Sequence, residues 1–411
     1  MKRFGIFCPP MLGHLNPMAV LGLELQRRGH TVIFFGVADG LCQLRGLGFS
    51  GIEMGAQEYP QGQVEKDYRQ LGRLTGRQGF QYTIQLFQRE MTMFLREAPI
   101  AIKQAQIDLL LIDQVTTLIP TVADYLKIPF VTICNAMLVN REAAIPPYSS
   151  LYPYSDSFWA RLRNRWGNLQ ITYSTRAIWL PIIKQRRIWG LKPYANPEAR
   201  FSSLAQICQF PRELDFPRQN LAPCFHYIGR FQDPAATEPI ALAGPDFPFE
   251  KLEEGPLIYA SLGTLQNQRP EIFHCIAQAC LSLPAQLVIS LGNPNAKPFS
   301  LPGNPLVVPF APPPKTHRQV NFSDYPCRFK YGANGLRLWS SFGGHSHHQR
   351  TTRHRRSHQI CRGGRFYCPE RPQREHPALY HRKGVLSKPL SPKGPTIGPK
   401  DSGGRRGTAG R

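Results

Sequence analysis

What this 411-residue chain lacks narrows its possibilities. None of the ten cysteines forms a CxxC pair. They are scattered singly, and Cys8 and Cys134 lie inside apolar runs where a thiol packs as a small hydrophobe, so a reducing, cytoplasmic setting is expected. No apolar run reaches transmembrane length. Lys2 and Arg3 ahead of an apolar stretch imitate a secretory signal, but Pro9, Pro10, His14, Asn16 and Pro17 interrupt it too early. No GxGxxG follows the first strand-like run, which disfavours a Rossmann oxidoreductase. No repeat of solenoid length is visible.

Acidic and core-forming residues are scarce only beyond Pro312 to Pro314. Residues 315–411 hold 4 Asp+Glu against 21 Lys+Arg, 8 of the 12 His, and only 13 Leu, Ile, Val or Phe. Such a composition cannot build a core, and a disordered basic tail is expected. It supplies most of the formal net charge of +23; the first 314 residues, with 29 Lys+Arg against 23 Asp+Glu, have an ordinary balance and enough apolar side chains for a substantial core.

Within those 314 residues, apolar runs alternate with helical patterns. Residues 4–8, 31–35, 109–112 and 130–134 read as strands. Residues 9–16 read as a loop, 17–28 as a helix opened by Pro17 at its first position, and 118–126 as a helix. This alternation implies an α/β fold with parallel sheets and right-handed crossovers. A polar stretch carrying Pro234, Pro239, Pro245 and Pro248 reads as a linker, after which residues 257–261, 287–291 and 306–308 read as strands of a second parallel sheet, with a helix at 271–281. The expected organisation is a first Rossmann-like domain at 1–232, a linker at 233–255, an incomplete second domain at 256–314, and the tail at 315–411.

Ligands of open parallel sheets bind beyond the carboxyl ends of the strands. His14, in Gly13-His14-Leu15-Asn16-Pro17, follows the first strand, and Asp113 closes the strand at 109–112. A neutral imidazole can take a proton from a hydroxyl when a carboxylate fixes its tautomer and stabilises the imidazolium that forms. The alternative is that His14 caps the following helix and Asp113 is a solvated strand-end carboxylate.

The opening Phe4-Gly5-Ile6-Phe7-Cys8-Pro9-Pro10-Met11-Leu12-Gly13-His14-Leu15-Asn16-Pro17 resembles that of the UDP-glycosyltransferases of the two-domain GT-B fold. Within them it is most similar to the bacterial zeaxanthin glucosyltransferase and macrolide glycosyltransferase group. The resemblance implies two Rossmann-like domains facing a cleft, with an acceptor-binding first domain and a donor-binding second. It implies His14 as general base, Asp113 as its partner, and inverting transfer of a hexose, glucose in that group, from a UDP-sugar, with no cofactor or metal required. Ala260-Ser261-Leu262-Gly263-Thr264 resembles the family's Ser-x-Gly-Thr loop, so Ser261, Gly263 and Thr264 are the expected donor-binding residues; the plain alternative is a tight strand-to-helix turn. A nucleotide-sugar epimerase on the same architecture is the neighbouring enzymatic alternative.

The family's His-Ala-Gly-x-Asn-Thr turn and later Asp/Glu-Gln pair are absent from the chain as translated. Read back through the genetic code and shifted by one nucleotide, residues 326–329 admit His, Ala and Gly, and residues 330–332 admit Asn then Thr. Residues 339–347 admit Gly-Val-Pro-Leu-Val-Ala-Ile-Pro, and 350–353 admit Glu-Gln-Pro. A frameshift near Pro314 is therefore expected, with loss of the distal donor site and of activity. The tail's Arg353-His354-Arg355-Arg356 run and its His354, His358, Cys361 and Cys368 suggest polyanion binding or a metal, but no helical pattern presents them and Gly403, Gly404, Gly407 and Gly410 read as coil. No specific nucleic acid and no metal are expected.

Trp159, Trp166, Trp179 and Trp189 share one stretch with Tyr148, Tyr152, Tyr154, Phe158 and Tyr173, interleaved with arginines. Apolar bodies with basic rims suit an extended lipophilic, hydroxylated acceptor and peripheral contact with an anionic membrane; the alternative is an insertion whose aromatics pack on the core. Asn16, Trp159, Trp166 and Trp179 are the expected acceptor-binding residues.

Overall fold

Apolar runs that can be buried on both faces dominate the first part of the chain, and they assemble one parallel sheet. The structure, a computed structural model, describes residues 1–231, 247–265, 267–293 and 295–311, and the backbone of 327–332 and 335–340. The strands are β1 (Arg3–Phe7), β2 (Thr31–Gly36), β3 (Ser50–Glu53), β4 (Leu109–Asp113), β5 (Phe130–Cys134), β6 (Gln206–Cys208) and β7 (Phe225–Tyr227), in the order β3-β2-β1-β4-β5-β6-β7. Every neighbouring pair is parallel. The helices between them are α1 (Leu12–Arg27), α2 (Ala38–Arg45), α3 (Gln63–Arg73), α4 (Gly76–Gln104), α5 (Ile119–Leu126), α6 (Phe158–Ser174) and α7 (Arg176–Ile188).

The two-residue period of a strand sorts the apolar side chains into two layers. Phe7, Ile33, Phe35, Leu110 and Ile112 face α4, α5 and α7 in one core. Ile6, Val32, Phe34, Leu111 and Ile133 face α1 and α2 in the other. Each such side chain contributes roughly 2 kcal/mol on burial. Gly5 is required by the tightness of this packing, since a Cβ there would come within 2.7 Å of Leu110 Cδ2. The strand order reverses between β1 and β4, which makes that junction the switch point of the sheet.

A second sheet carries β8 (Leu257–Ser261), β9 (Gln286–Ser290) and β10 (Leu306–Val308) in the order β10-β9-β8, all parallel, with α8 (Pro270–Cys280) as the first crossover. It repeats the β3-β2-β1 half of the first sheet. Ala260, Ile272, Phe273, Ile276 and Ile289 form the core on its helical side, and Phe247, Leu257, Tyr259, Val288 and Val308 fill the other face.

Three expectations need correction. The first helix begins at Leu12, not at Pro17, so His14 and Asn16 lie in its opening turns instead of a loop. Pro17 stands inside this helix because the bond it cannot donate would have gone to the carbonyl of Gly13, an exposed residue whose carbonyl water can satisfy. The core on the far face of the second sheet takes in Phe247, with Phe249 and Leu252 packed against it, so part of the stretch read as linker packs on that sheet; the surrounding prolines hid the role of its aromatics. Finally, the backbone of β11 (Cys327–Gly332) pairs antiparallel with β12 (Gly335–Ser340) where only coil was expected. Arg328-Phe329-Lys330-Tyr331 and Leu336-Arg337-Leu338 alternate polar with apolar residues, separated by a short Gly-containing stretch, which is a hairpin signal. The remainder of the expected tail lies outside the described residues.

Candidate functional site

Three adjacent strands, β1, β4 and β5, deliver the polar groups at the switch point. Their registers align Phe7 with Ile112 and Asp113 with Ile133, so the chain positions just after them emerge side by side. The turn after β1 closes with His14 and Leu15 N–H groups donating to the Met11 carbonyl, both at 2.8 Å, which fixes His14 in the first turn of α1. There His14 Nδ1 lies 2.6 Å from Asp113 Oδ2, with the imidazole 13% exposed and the carboxylate fully buried.

Asp113 is neither solvated nor isolated. Its Oδ1 accepts from the Val115 N–H at 3.0 Å, and its Oδ2 also accepts from Asn135 Nδ2 at 2.8 Å. Three donors thus hold the carboxylate, and the His14 N–H makes Nδ1 the donor of the ring, leaving Nε2 with its lone pair. Such a ring can accept a proton at Nε2 while the carboxylate stabilises the resulting cation. Asn135, one residue beyond β5, carries no sequence motif and becomes visible only through sheet order.

Glu90 on α4 is a second group that sequence reasoning missed. It is half-buried, and burial followed by the charge of Asp113 raises its pKa from the ordinary value of 4.5 to about 7. Burial, with Asp113 next, likewise pushes the Cys8 thiol up, so Cys8 stays protonated. A carboxyl whose pKa is raised on folding stabilises the fold fully below its unfolded value near 4.5, and that contribution is lost as the pH climbs through about 7. Thermal unfolding should therefore show stability falling between pH 5 and 8, by about 2 kcal/mol, with the Glu90→Gln variant flattening this slope. An unchanged slope in the variant would remove Glu90 as its source.

On the second sheet, Ser261 ends β8 and accepts the Gly263 N–H at 3.2 Å, while Asn267 Nδ2 donates to the Gly263 carbonyl at 3.2 Å. Gly263 has φ of 79°, a left-handed conformation that suits glycine, and half-buried Thr264 follows it. The loop after β9 presses Gly292, with φ of 72°, onto the Gly263 carbonyl, where a Cβ has no room. Gly292→Ala is expected to cost about 2–4 kcal/mol through backbone strain and displacement of that carbonyl, read as a lowered melting temperature.

The nominated aromatics separate. Trp159 and Trp166 stand exposed on α6. Trp179 instead packs against the first core beneath the Arg200 guanidinium, 5.1 Å from its ring centroid, so it serves packing. Asn16 is half-buried on α1.

Two parallel α/β sheets, one bearing an imidazole–carboxylate pair at its switch point and the other a glycine turn at its strand ends, define a two-domain enzyme class. No family model matches the chain. It is 30% identical over 292 residues to the zeaxanthin glucosyltransferase of Pantoea ananas, spanning 71% of this chain and 66% of that protein. It is 29% identical over 299 residues to the zeaxanthin glucosyltransferase of Pseudescherichia vulneris, spanning 71% and 67%. The glycotransferase of kitacinnamycin shares the fold, with a TM-score of 0.50 at 18% identity over 76% of this chain and 71% of that one. The chain is thus similar to glycosyltransferases and shares the GT-B fold, and it spans 66% and 67% of the length of these two relatives.

Proposed function

We propose that this chain carries the acceptor half and the beginning of the donor half of an inverting glycosyltransferase that moves glucose from a UDP-sugar to the hydroxyl of a lipophilic acceptor such as a carotenoid. The observation that carries the proposal is the 2.6 Å contact between His14 Nδ1 and a buried Asp113. In the reaction, His14 Nε2 takes the acceptor hydroxyl proton, the oxygen attacks the anomeric carbon, and the bond to the diphosphate breaks with UDP as leaving group. Asp113 keeps the ring in register, and Val115 and Asn135 keep Asp113 in place. The turn at Ser261, Gly263 and Thr264 meets the donor phosphates. Exposed Trp159 and Trp166 offer apolar surface to the acceptor side, with a membrane as the place where such an acceptor is met. No cofactor or metal enters these steps.

The helix N-terminus that would hold the donor diphosphate belongs to the part altered by the proposed frameshift, and without it the chain as translated is expected to be inactive. The test is product analysis with UDP-glucose and a carotenoid diol, using this chain and a version with the reading frame restored after Pro314. A glucoside formed only by the restored chain is the expected result. Epimerised nucleotide sugar without a glucoside, or no product from either chain, rejects the reading.

A further inference from the structure

Helix α6 is built the wrong way round for a helix of a soluble domain. At 3.6 residues per turn, Phe158, Leu162, Trp166, Leu169 and Tyr173, with Trp159, fall within an arc of about 100°. Those six side chains are 49–74% exposed. The opposite arc is the buried one, and it carries Ala160, Asn164 and Gly167, small or polar residues. Asn164 is fully buried and donates to the Ala143 carbonyl at 3.1 Å, and a Cβ at Gly167 would come within 2.8 Å of Pro147. The inward face is therefore fixed by specific contacts, and rotation cannot hide the aromatics. Exposed Leu180 and Ile188 on α7 extend the apolar surface.

Charge identifies what covers this face. Between Ser157 and Pro197 the chain has eight Lys+Arg and no Asp or Glu; Arg186 is buried against Asp124 and Arg161 pairs with Asp156 at the helix entry, and the remaining cations leave the surface basic. Arg161 and Arg165 border the apolar arc on one side and Arg163 on the other, the placement expected from the helical repeat. A second copy of this surface would be repelled by its own charge, whereas an anionic bilayer offers apolar depth for the aromatics and negative headgroups for the arginines. Among the described residues no helix is long and apolar enough to cross a membrane, which leaves a helix lying in the interface. We propose that α6 docks the protein on an anionic lipid bilayer, with Trp159 and Trp166 inserted at the headgroup level and the flanking arginines on the lipid phosphates.

The proposal deepens the partner side of the function given above, but it rests on the exposed face of α6, so vesicle binding and sugar transfer can fail separately. The full chain is tested by co-sedimentation with phosphatidylcholine vesicles with and without 30 mol% phosphatidylglycerol, together with tryptophan emission. Because both tryptophans are exposed, the Trp159→Gln/Trp166→Gln variant should keep the parent's far-ultraviolet circular dichroism. The parent is expected to bind the anionic vesicles with a blue-shifted emission. The double variant should lose at least about tenfold in partitioning together with that shift, and Arg161→Glu/Arg165→Glu should lose binding to the anionic vesicles. Equal binding by parent and double variant, as if the basic tail alone held the lipid, overturns the proposal. So does concentration-dependent dimerisation of the parent that the double variant abolishes.

Discussion

Replacing His14 with Ala in the frame-restored chain is expected to lower the glycosyl-transfer rate by about a hundred- to ten-thousand-fold, with little change in the KM for the UDP-sugar. The imidazole lies on the first sheet, in the first turn of α1, so its loss removes the proposed proton transfer without touching the Gly263 turn. Initial rates at saturating donor supply the measurement. Full-speed transfer by His14→Ala would dismiss it as the base, whatever product analysis of the parent shows. Stability should change little, because the ring is partly exposed and its removal leaves Asp113 with two other donors.

Asp113→Asn is expected to be worse for the fold and nearly as harmful to the reaction. The carboxylate accepts from His14, Val115 and Asn135. An amide has one acceptor oxygen, so its NH₂ must face either the Val115 N–H or both the His14 N–H and the Asn135 NH₂, unless the ring changes tautomer and presents the wrong nitrogen to the acceptor. The expected loss is about 2 kcal/mol of stability, since at least one buried donor is left without its acceptor. Transfer should fall by roughly a hundredfold or more. A variant that melts with the parent would show that the hydrogen bonds at Asp113 contribute nothing to the fold.

How much of this was legible in the sequence follows from what local pattern can encode. The β1, β2, β4 and β5 runs were readable because strands buried on both faces are continuously apolar, and the positions after them follow from where parallel sheets bind ligands. His14 and Asp113 were found that way, but their meeting depends on β4 crossing to the far side of β1, which no local pattern states. Asn135 and Glu90 were missed because each acquires significance only from a neighbour remote in sequence, Asp113 in both cases. The start of α1 was misplaced because Pro usually opens helices, and the context that lets Pro17 sit inside one is an exposed Gly13 carbonyl. Trp179 could not be told from Trp159 and Trp166 by composition; only the direction each points decides between packing and surface.

The second sheet repeats the first in miniature, and its β8 corresponds to β1. In the first sheet β1 is flanked by β2 and β4, whereas β8 pairs with β9 and has the β11 backbone close beside it. A strand added next to β8 would have to compete with β11 for that ground.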